Sequence, residues 1–255
     1  MKTSTTLLAL TAVLALPVFA DEARVAGYTS QLRAVRVTEI ARETAKLVAD
    51  KADTSDAVTA AVNVNGPSAP LVVGAVAKAS PASAAAAAAA AVKLQPKLVG
   101  PIAKAAVSAA PAEIEAIVRA MCKAQPASFY AIGVNAAQAA PKSGGQVLPA
   151  VTGALPALKP LVARSQAEFA AAKRSASLAL VLKHTEDMVA ALARDSKQSP
   201  EAILAQGDVA VETQYALLIK AAPVQLPPFV PGGGPPTEAP AGTEVSPGGR
   251  VYSAP

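Results

Sequence analysis

The sequence predicts an all-α fold, a right- or left-handed stack of short antiparallel helices that is α-solenoid-like and built from a 15-residue, one-helix repeat. Six prolines are spaced fifteen residues apart: Pro81, Pro96, Pro111, Pro126, Pro141 and Pro156. Apolar residues recur in each unit at helical spacing. Alanine supplies many other positions, including an unbroken run over 84–91. Its high helix propensity and small side chain favour closely packed helices.

Residues 1–20 have the three regions of a secretory signal peptide. Lys2 forms a positive start, an apolar run follows at 7–16, and Val18 and Ala20 satisfy the small-residue rule at a cleavage site. The apolar run is shorter than the roughly 20 residues that span a bilayer. We therefore expect cleavage after Ala20, export to the periplasm or the extracellular space, and no transmembrane span in the processed chain.

The segment 21–65 is predicted to be helical and to precede the repeat. One helical stripe lies within residues 37–48, formed by Val37, Ile40, Ala41, Thr44, Leu47 and Val48. A second helix is predicted to start at residues 54–57, with Thr54 or Ser55 as the N-cap and Asp56 in the first turn.

The repeat array is predicted over residues 66–163. Numbered from the proline, positions 4, 7, 8 and 11 are mostly apolar and form one helical face. Position 7 is the most regular, with Val72, Ala87, Ile102, Ile117, Ile132, Val147 and Val162. Proline suits the first helical position, so each unit should be one helix of about eleven residues and a tight turn. Helices this short are marginal alone and must pack on their neighbours.

Two units of the array depart from the pattern. Pro101 falls at position 6 of its unit, so we expect that helix to begin at Pro101. Gly144, Gly145 and Pro149 weaken a later unit, which we expect to form a loop.

Longer helices are predicted over residues 164–222, where they would cap the array. One face groups Leu178, Val181, Leu182, Thr185, Met188, Val189 and Leu192. A second helix is predicted to start at Ser199 as the N-cap, followed by Pro200 and the acidic Glu201 in its first turn, and to reach about Ala221.

Residues 223–255 contain nine prolines and six glycines. This composition predicts a disordered, extended tail without helix or sheet. It is either a linker or a tether that ends in a short recognition peptide.

The sequence offers few groups for catalysis. His184 is the single histidine and is expected to be a solvated surface residue. Cys122 is the single cysteine, which we interpret as a small buried apolar residue rather than an intermolecular disulfide. A metal site needs several convergent ligands, and no nucleotide-binding or nucleophile motif occurs. We expect no catalytic, metal or cofactor-binding residues and a non-enzymatic protein, with an unrecognised carboxylate-based hydrolase as the alternative.

The net charge of +5 is concentrated in the array, because residues 66–163 hold eight basic and two acidic residues. Lys78, Lys93 and Lys123 recur at position 13 and are predicted to line one edge. They are candidate contacts for an anionic envelope polymer, although lysines also keep an alanine-rich surface soluble. Nucleic acid is not expected as a partner, because aromatic residues make up 3% of the chain.

In these features, residues 66–255 resemble uncharacterised exported bacterial proteins that combine alanine-rich helical repeats with a Pro/Gly tail. The resemblance is one of composition and implies no functional residue. The expected function is that of an exported structural or scaffold protein, with the array as a surface for a partner or for other copies of the chain. Binding of anionic polymers through the lysine edge is the alternative.

Overall fold

A computed structural model describes residues 16–33, 36 and 39–221, and over these residues the chain is helical without strands. The helices are α1 (Leu16–Arg33), α2 (Ile40–Ala49), α3 (Thr54–Val64), α4 (Ala69–Ala79), α5 (Ala84–Leu94), α6 (Val99–Ala109), α7 (Ile114–Ala124), α8 (Phe129–Ala139), α9 (Val147–Ala154), α10 (Leu158–Ala171), α11 (Leu178–Ser196), α12 (Pro200–Leu204) and α13 (Asp208–Ala221). The compact unit that contains the array ends at Leu218.

The helices of the array form two rows, and the predicted stack of short antiparallel helices is confirmed. Each helix packs most extensively on the helix two places along the chain, as α5 does on α3 and α7. It also packs on its immediate neighbours, which lie in the other row. Helices α1, α3, α5, α7 and α9 form the odd row, and α2, α4, α6 and α8 form the even row, which α11 continues. Short turns make successive helices antiparallel, so helices within one row are parallel.

One backbone pattern recurs in every full unit. The residue before each turn lies outside the helical region, with φ between −125° and −149° and ψ between 66° and 89°. From Ser80 onward this residue precedes a proline, which disfavours the α region for it. At Ser80, the backbone N–H donates to the Val76 carbonyl at 2.8 Å, and the Ser80 carbonyl accepts from Ser83 N–H at 2.9 Å. Pro81 therefore opens a 3₁₀ turn, and the α-helix starts three residues later. The predicted eleven-residue helix length is confirmed, but the predicted helix start was three residues early.

The core of the array consists of small and β-branched side chains. Position 7 is buried in every unit from Val72 to Val162. Position 12, which the predicted face omitted, is also buried at Ala77, Val92, Val107 and Cys122. Helices α3 to α8 each pack on four others and need a wider apolar face than a helix with one partner. Helix α5 shows this most clearly, because Ala84, Ala87, Ala88, Ala90 and Ala91 are buried while Ala86 is exposed.

The two units expected to depart from the repeat pattern are both helical, but not in the way predicted. The helix that contains Pro101 begins at Val99, so the proline is its third residue. Proline is tolerated there because the first N–H groups of a helix have no intrahelical acceptor. Residues Pro141–Gln146 form a long 3₁₀ turn rather than a loop, and α9 is shortened to Val147–Ala154.

The N-terminal helices continue the two-row packing, because α1 packs on α3 and α2 on α4. The predicted stripe is buried at Ile40, Thr44 and Val48 of α2 and half-buried at Ala41 and Leu47, and its first member, Val37, lies outside the described residues. The N-cap of α3 is Asp53, one residue before the predicted caps, and its carboxylate accepts from Asp56 N–H at 3.0 Å. Residues 1–15 of the predicted signal peptide lie outside the described residues.

The C-terminal helices differ from the prediction at one point. The face predicted on α11 is buried from Val181 to Leu192, and Ser199 caps α12 as predicted, with its hydroxyl accepting from Ala202 N–H. The single helix expected to reach Ala221 is instead broken after Leu204 and restarts at Asp208. Gly207, between them, disfavours helix. The predicted tail lies outside the described residues, and no helix among those described could cross a membrane.

Candidate functional site

The alternation of rows places successive turns at two opposite edges of the array. One edge, which we name the odd-turn edge, consists of the turns that follow odd-numbered helices and of the adjoining helix ends. Its turns are 65–68, 95–98, 125–128 and 155–157. Turns 80–83, 110–113 and 140–146 form the even-turn edge. Apart from the longer turn 140–146 and the turn 155–157, the two edges share the same backbone geometry, so their main difference lies in their side chains.

The odd-turn edge carries four lysines and no acidic residue within the array. Lys93 and Lys123 lie near the ends of α5 and α7, Lys97 lies in the turn after α5, and Lys159 lies at the start of α10. All four are exposed, and none forms a salt bridge among the described residues. Carboxylates of the C-terminal helices approach this edge at two places. Glu201 of α12 lines the same groove of about 390 Å³ as Lys123, and Asp208 and Glu212 of α13 line the same groove as Lys159.

The even-turn edge has balanced charge. It carries Lys78 and Lys142 together with Glu113 and Glu115. Lys78 is therefore separated from Lys93 and Lys123, with which the sequence grouped it, because α4 belongs to the even row and its C-terminus points to the other edge. Of the three position-13 lysines, only Lys93 and Lys123 share an edge. Lys97 and Lys159 join them there, and the 15-residue register did not identify these two.

Carboxamide side chains accompany the lysines on the odd-turn edge. The non-helical residue that opens the turn is Asn65, Gln95 or Gln125 at three turns of that edge and Leu155 at the fourth, whereas it is serine or alanine on the even-turn edge. The Gln95 side chain lies against the preceding turn of the same edge, since a Cβ on Gly66 would lie 2.5 Å from its Nε2. The side-chain amides of these three residues form no hydrogen bond within the described part of the chain.

A polar cluster links α10, α11 and α13. His184 Nε2 lies 2.8 Å from a carboxylate oxygen of Glu168, whose other oxygen accepts from Arg164 Nε at 3.0 Å. The Arg164 guanidinium lies over the Tyr215 ring, 5.0 Å from its centroid, and the Phe169 ring meets the imidazole edge-on at 5.9 Å. The His184 side chain is 16% exposed, so the expected solvated surface histidine is instead a half-buried residue that joins two helices.

The groups of this cluster stabilise the helix packing and do not form a nucleophile–base pair. The buried hydroxyls of Ser165 and Thr185 donate to the Val181 carbonyl, at 3.4 Å and 2.8 Å, and not to His184. Burial raises the pKa of Tyr215, and the neighbouring Arg164 partly offsets that shift. Between α10 and α13 lies a groove of about 660 Å³ whose charged lining residues include Asp208 and Glu212. No group of three or more His, Cys, Asp and Glu side chains that could hold a metal ion occurs in the described ranges.

Cys122 is a free cysteine in the core of α7, and its side chain is fully buried. Loss of solvation raises the pKa of its thiol from 9.0 to about 12. The thiol therefore remains protonated and unreactive in the folded chain. The interpretation of Cys122 as a small buried apolar residue is confirmed.

Comparisons of this chain with protein-family models, curated proteins and solved structures find no match.

Proposed function

We propose that this chain is an exported, non-enzymatic scaffold or interaction protein of the cell envelope or extracellular space. Its helical stack would be the surface that binds a partner or further copies of the chain. The observation that carries the proposal is the regular exposure of the repeat. Position 13 is exposed in all six helices from α4 to α9, whereas position 7 is buried in all six. The units thus present side chains outward at regular steps, as extended binding surfaces of repeat proteins do.

Export and association are tested separately. Expression in a bacterial host, followed by mass spectrometry of the product, should give a mature chain that starts at Asp21. Sedimentation of that product should show concentration-dependent self-association, or envelope fractions should retain it as a stoichiometric complex. A chain that keeps Met1 would contradict the export proposal. A chain that stays monomeric and is not retained by any envelope fraction would contradict the scaffold proposal.

A second function, the binding of anionic envelope polymers, is favoured by the unpaired lysines of the odd-turn edge. Exposed cations without carboxylate partners attract polyanions over roughly 8–10 Å at moderate ionic strength, and salt screens that attraction. The purified chain should be retained on a carboxylated polysaccharide resin at low salt and released as salt rises. Retention that does not change with salt would contradict this function.

A further inference from the structure

We propose that the odd-turn edge is a binding site for an acidic polysaccharide, formed by Lys93, Lys97 and Lys123 together with the carboxamides of Gln95 and Gln125. The inference rests on the proposed polymer-binding function, and it names the residues that bind and the chemistry of the ligand.

The same pair of groups recurs along one row of the array. Helices α5 and α7 are parallel neighbours in the odd row, and each ends with a lysine two residues before a glutamine: Lys93 with Gln95, and Lys123 with Gln125. Packed helices lie about 8–10 Å apart, so the second pair repeats the first at that step. A linear polymer lying across the helix ends meets the same two groups at each helix. On α3 the corresponding residues are Asn63 and Asn65, which extend the row of amides.

The two kinds of side chain match the two kinds of group on an acidic sugar chain. A lysine ammonium is a compact cation that pairs with a carboxylate. A carboxamide both donates and accepts hydrogen bonds, as a sugar hydroxyl does. The lysines are unpaired and the amides form no hydrogen bond within the described residues, so both are available to a ligand.

Single-stranded nucleic acid fits this edge less well. Its binding sites combine cations with aromatic side chains on which the bases stack. Residues 63–68, 93–98, 123–128 and 155–159 contain no aromatic residue. An acidic polypeptide would satisfy the lysines but has no sugar hydroxyls for the amides, and the experiment separates these two ligand classes.

Binding of the purified full-length chain is measured on immobilised polygalacturonate, hyaluronan, polyglutamate and neutral dextran at matched density. The combined change Lys93→Gln, Lys97→Gln and Lys123→Gln should weaken binding to the two acidic polysaccharides on the order of tenfold. The matched control removes the same charge elsewhere, through Lys78→Gln, Lys104→Gln and Lys142→Gln, and should have a much smaller effect. Dextran should not retain the chain, and circular dichroism checks that each variant is folded.

A second pair of variants tests the amides. Gln95→Ala with Gln125→Ala should weaken polysaccharide binding several-fold and leave polyglutamate binding unchanged, whereas Gln138→Ala with Gln166→Ala, two exposed glutamines elsewhere, should change neither. If both lysine triples weakened polysaccharide binding equally, the assignment of the site to the odd-turn edge would be overturned, although the chain would still bind the polymer. Polyglutamate binding as tight as that of the sugars, with no effect of the amides, would overturn the ligand class. Absence of binding to both acidic polysaccharides would overturn the site and the polymer-binding function together.

Discussion

The alanine-rich core of α5 predicts that one added side chain is tolerated or not according to which face receives it. Ala88 is fully buried, and its helix packs on α3 and α7 in its own row and on α4 and α6 across the array. Ala86, two residues earlier on the same helix, is exposed. Ala88→Leu and Ala86→Leu add the same atoms to the same helix, so their comparison isolates packing from helix propensity.

The expected destabilisation follows from the absence of space around Ala88. Extra methylenes in a well-packed core cost about 1–3 kcal/mol, and leucine and alanine differ by only a few tenths in helix propensity. For a domain of this size, each kcal/mol lowers Tm by about 2–4 °C. Ala88→Leu should therefore lower Tm by roughly 2–12 °C. Ala86→Leu should change stability by no more than about 0.5 kcal/mol.

Thermal unfolding followed by circular dichroism at a helical wavelength provides the assay, and urea unfolding checks the free energy. The unchanged chain and both variants should give the same helical signal before unfolding. If Ala88→Leu unfolded at the same temperature as Ala86→Leu, α5 would not be enclosed on several sides. Close packing of the helices through alanine would then be refuted.

Three further predictions concern single residues. Ile117→Ala removes most of a fully buried side chain, so urea unfolding should show that the free energy of unfolding falls by about 2–5 kcal/mol. A smaller decrease would mean that the site is not enclosed. Lys197 follows the end of α11 with φ 55°, a left-handed conformation that costs a non-glycine residue about 1–2 kcal/mol. Lys197→Gly should therefore raise Tm, and an unchanged or lower Tm would contradict that geometry. Because burial raises the pKa of the Cys122 thiol to about 12, the folded state retains its proton longer than the unfolded state. Its contribution to stability should be complete below about pH 9 and lost as pH rises from 9 to 12. Unfolding titrations of Cys122→Ala should lack this part of the pH dependence, and an identical alkaline loss in both chains would contradict the burial.

The repeat architecture could be predicted because its signals are local in sequence. The spacing of the prolines set the period, and the apolar spacing within each unit gave the helical face with position 7 at its centre. The three-residue offset of the helix start could not be read from the prolines, because proline suits the first position of a 3₁₀ turn as well as that of an α-helix. Position 12 is apolar at Ala77, Val92, Val107 and Cys122, and this pattern could have predicted its burial. These residues are buried because helices of both rows pack around each helix.

The candidate site was only partly predictable. A 15-residue unit with a reversal of direction places every second unit on the same edge, so a 30-residue register would have grouped Lys93 with Lys123 and separated Lys78. The partner of His184 could not be predicted in this way. Glu168 lies sixteen residues away on another helix, and the two side chains meet only because α10 and α11 pack together.

The most direct test of the account is whether alternate helices are in contact along one row. A Cβ on Gly74 of α4 would lie 3.7 Å from the Ala105 Cβ of α6, which matches the separation found in disulfides. In a Cys122→Ala background, Gly74→Cys with Ala105→Cys should form an intramolecular disulfide under mild oxidation, detected by mass spectrometry and non-reducing electrophoresis. The control pair Gly74→Cys with Gln138→Cys, whose helices α4 and α8 are separated by α6, should not form one. A failure of the first pair to cross-link, or equal cross-linking of both pairs, would contradict the two-row stack.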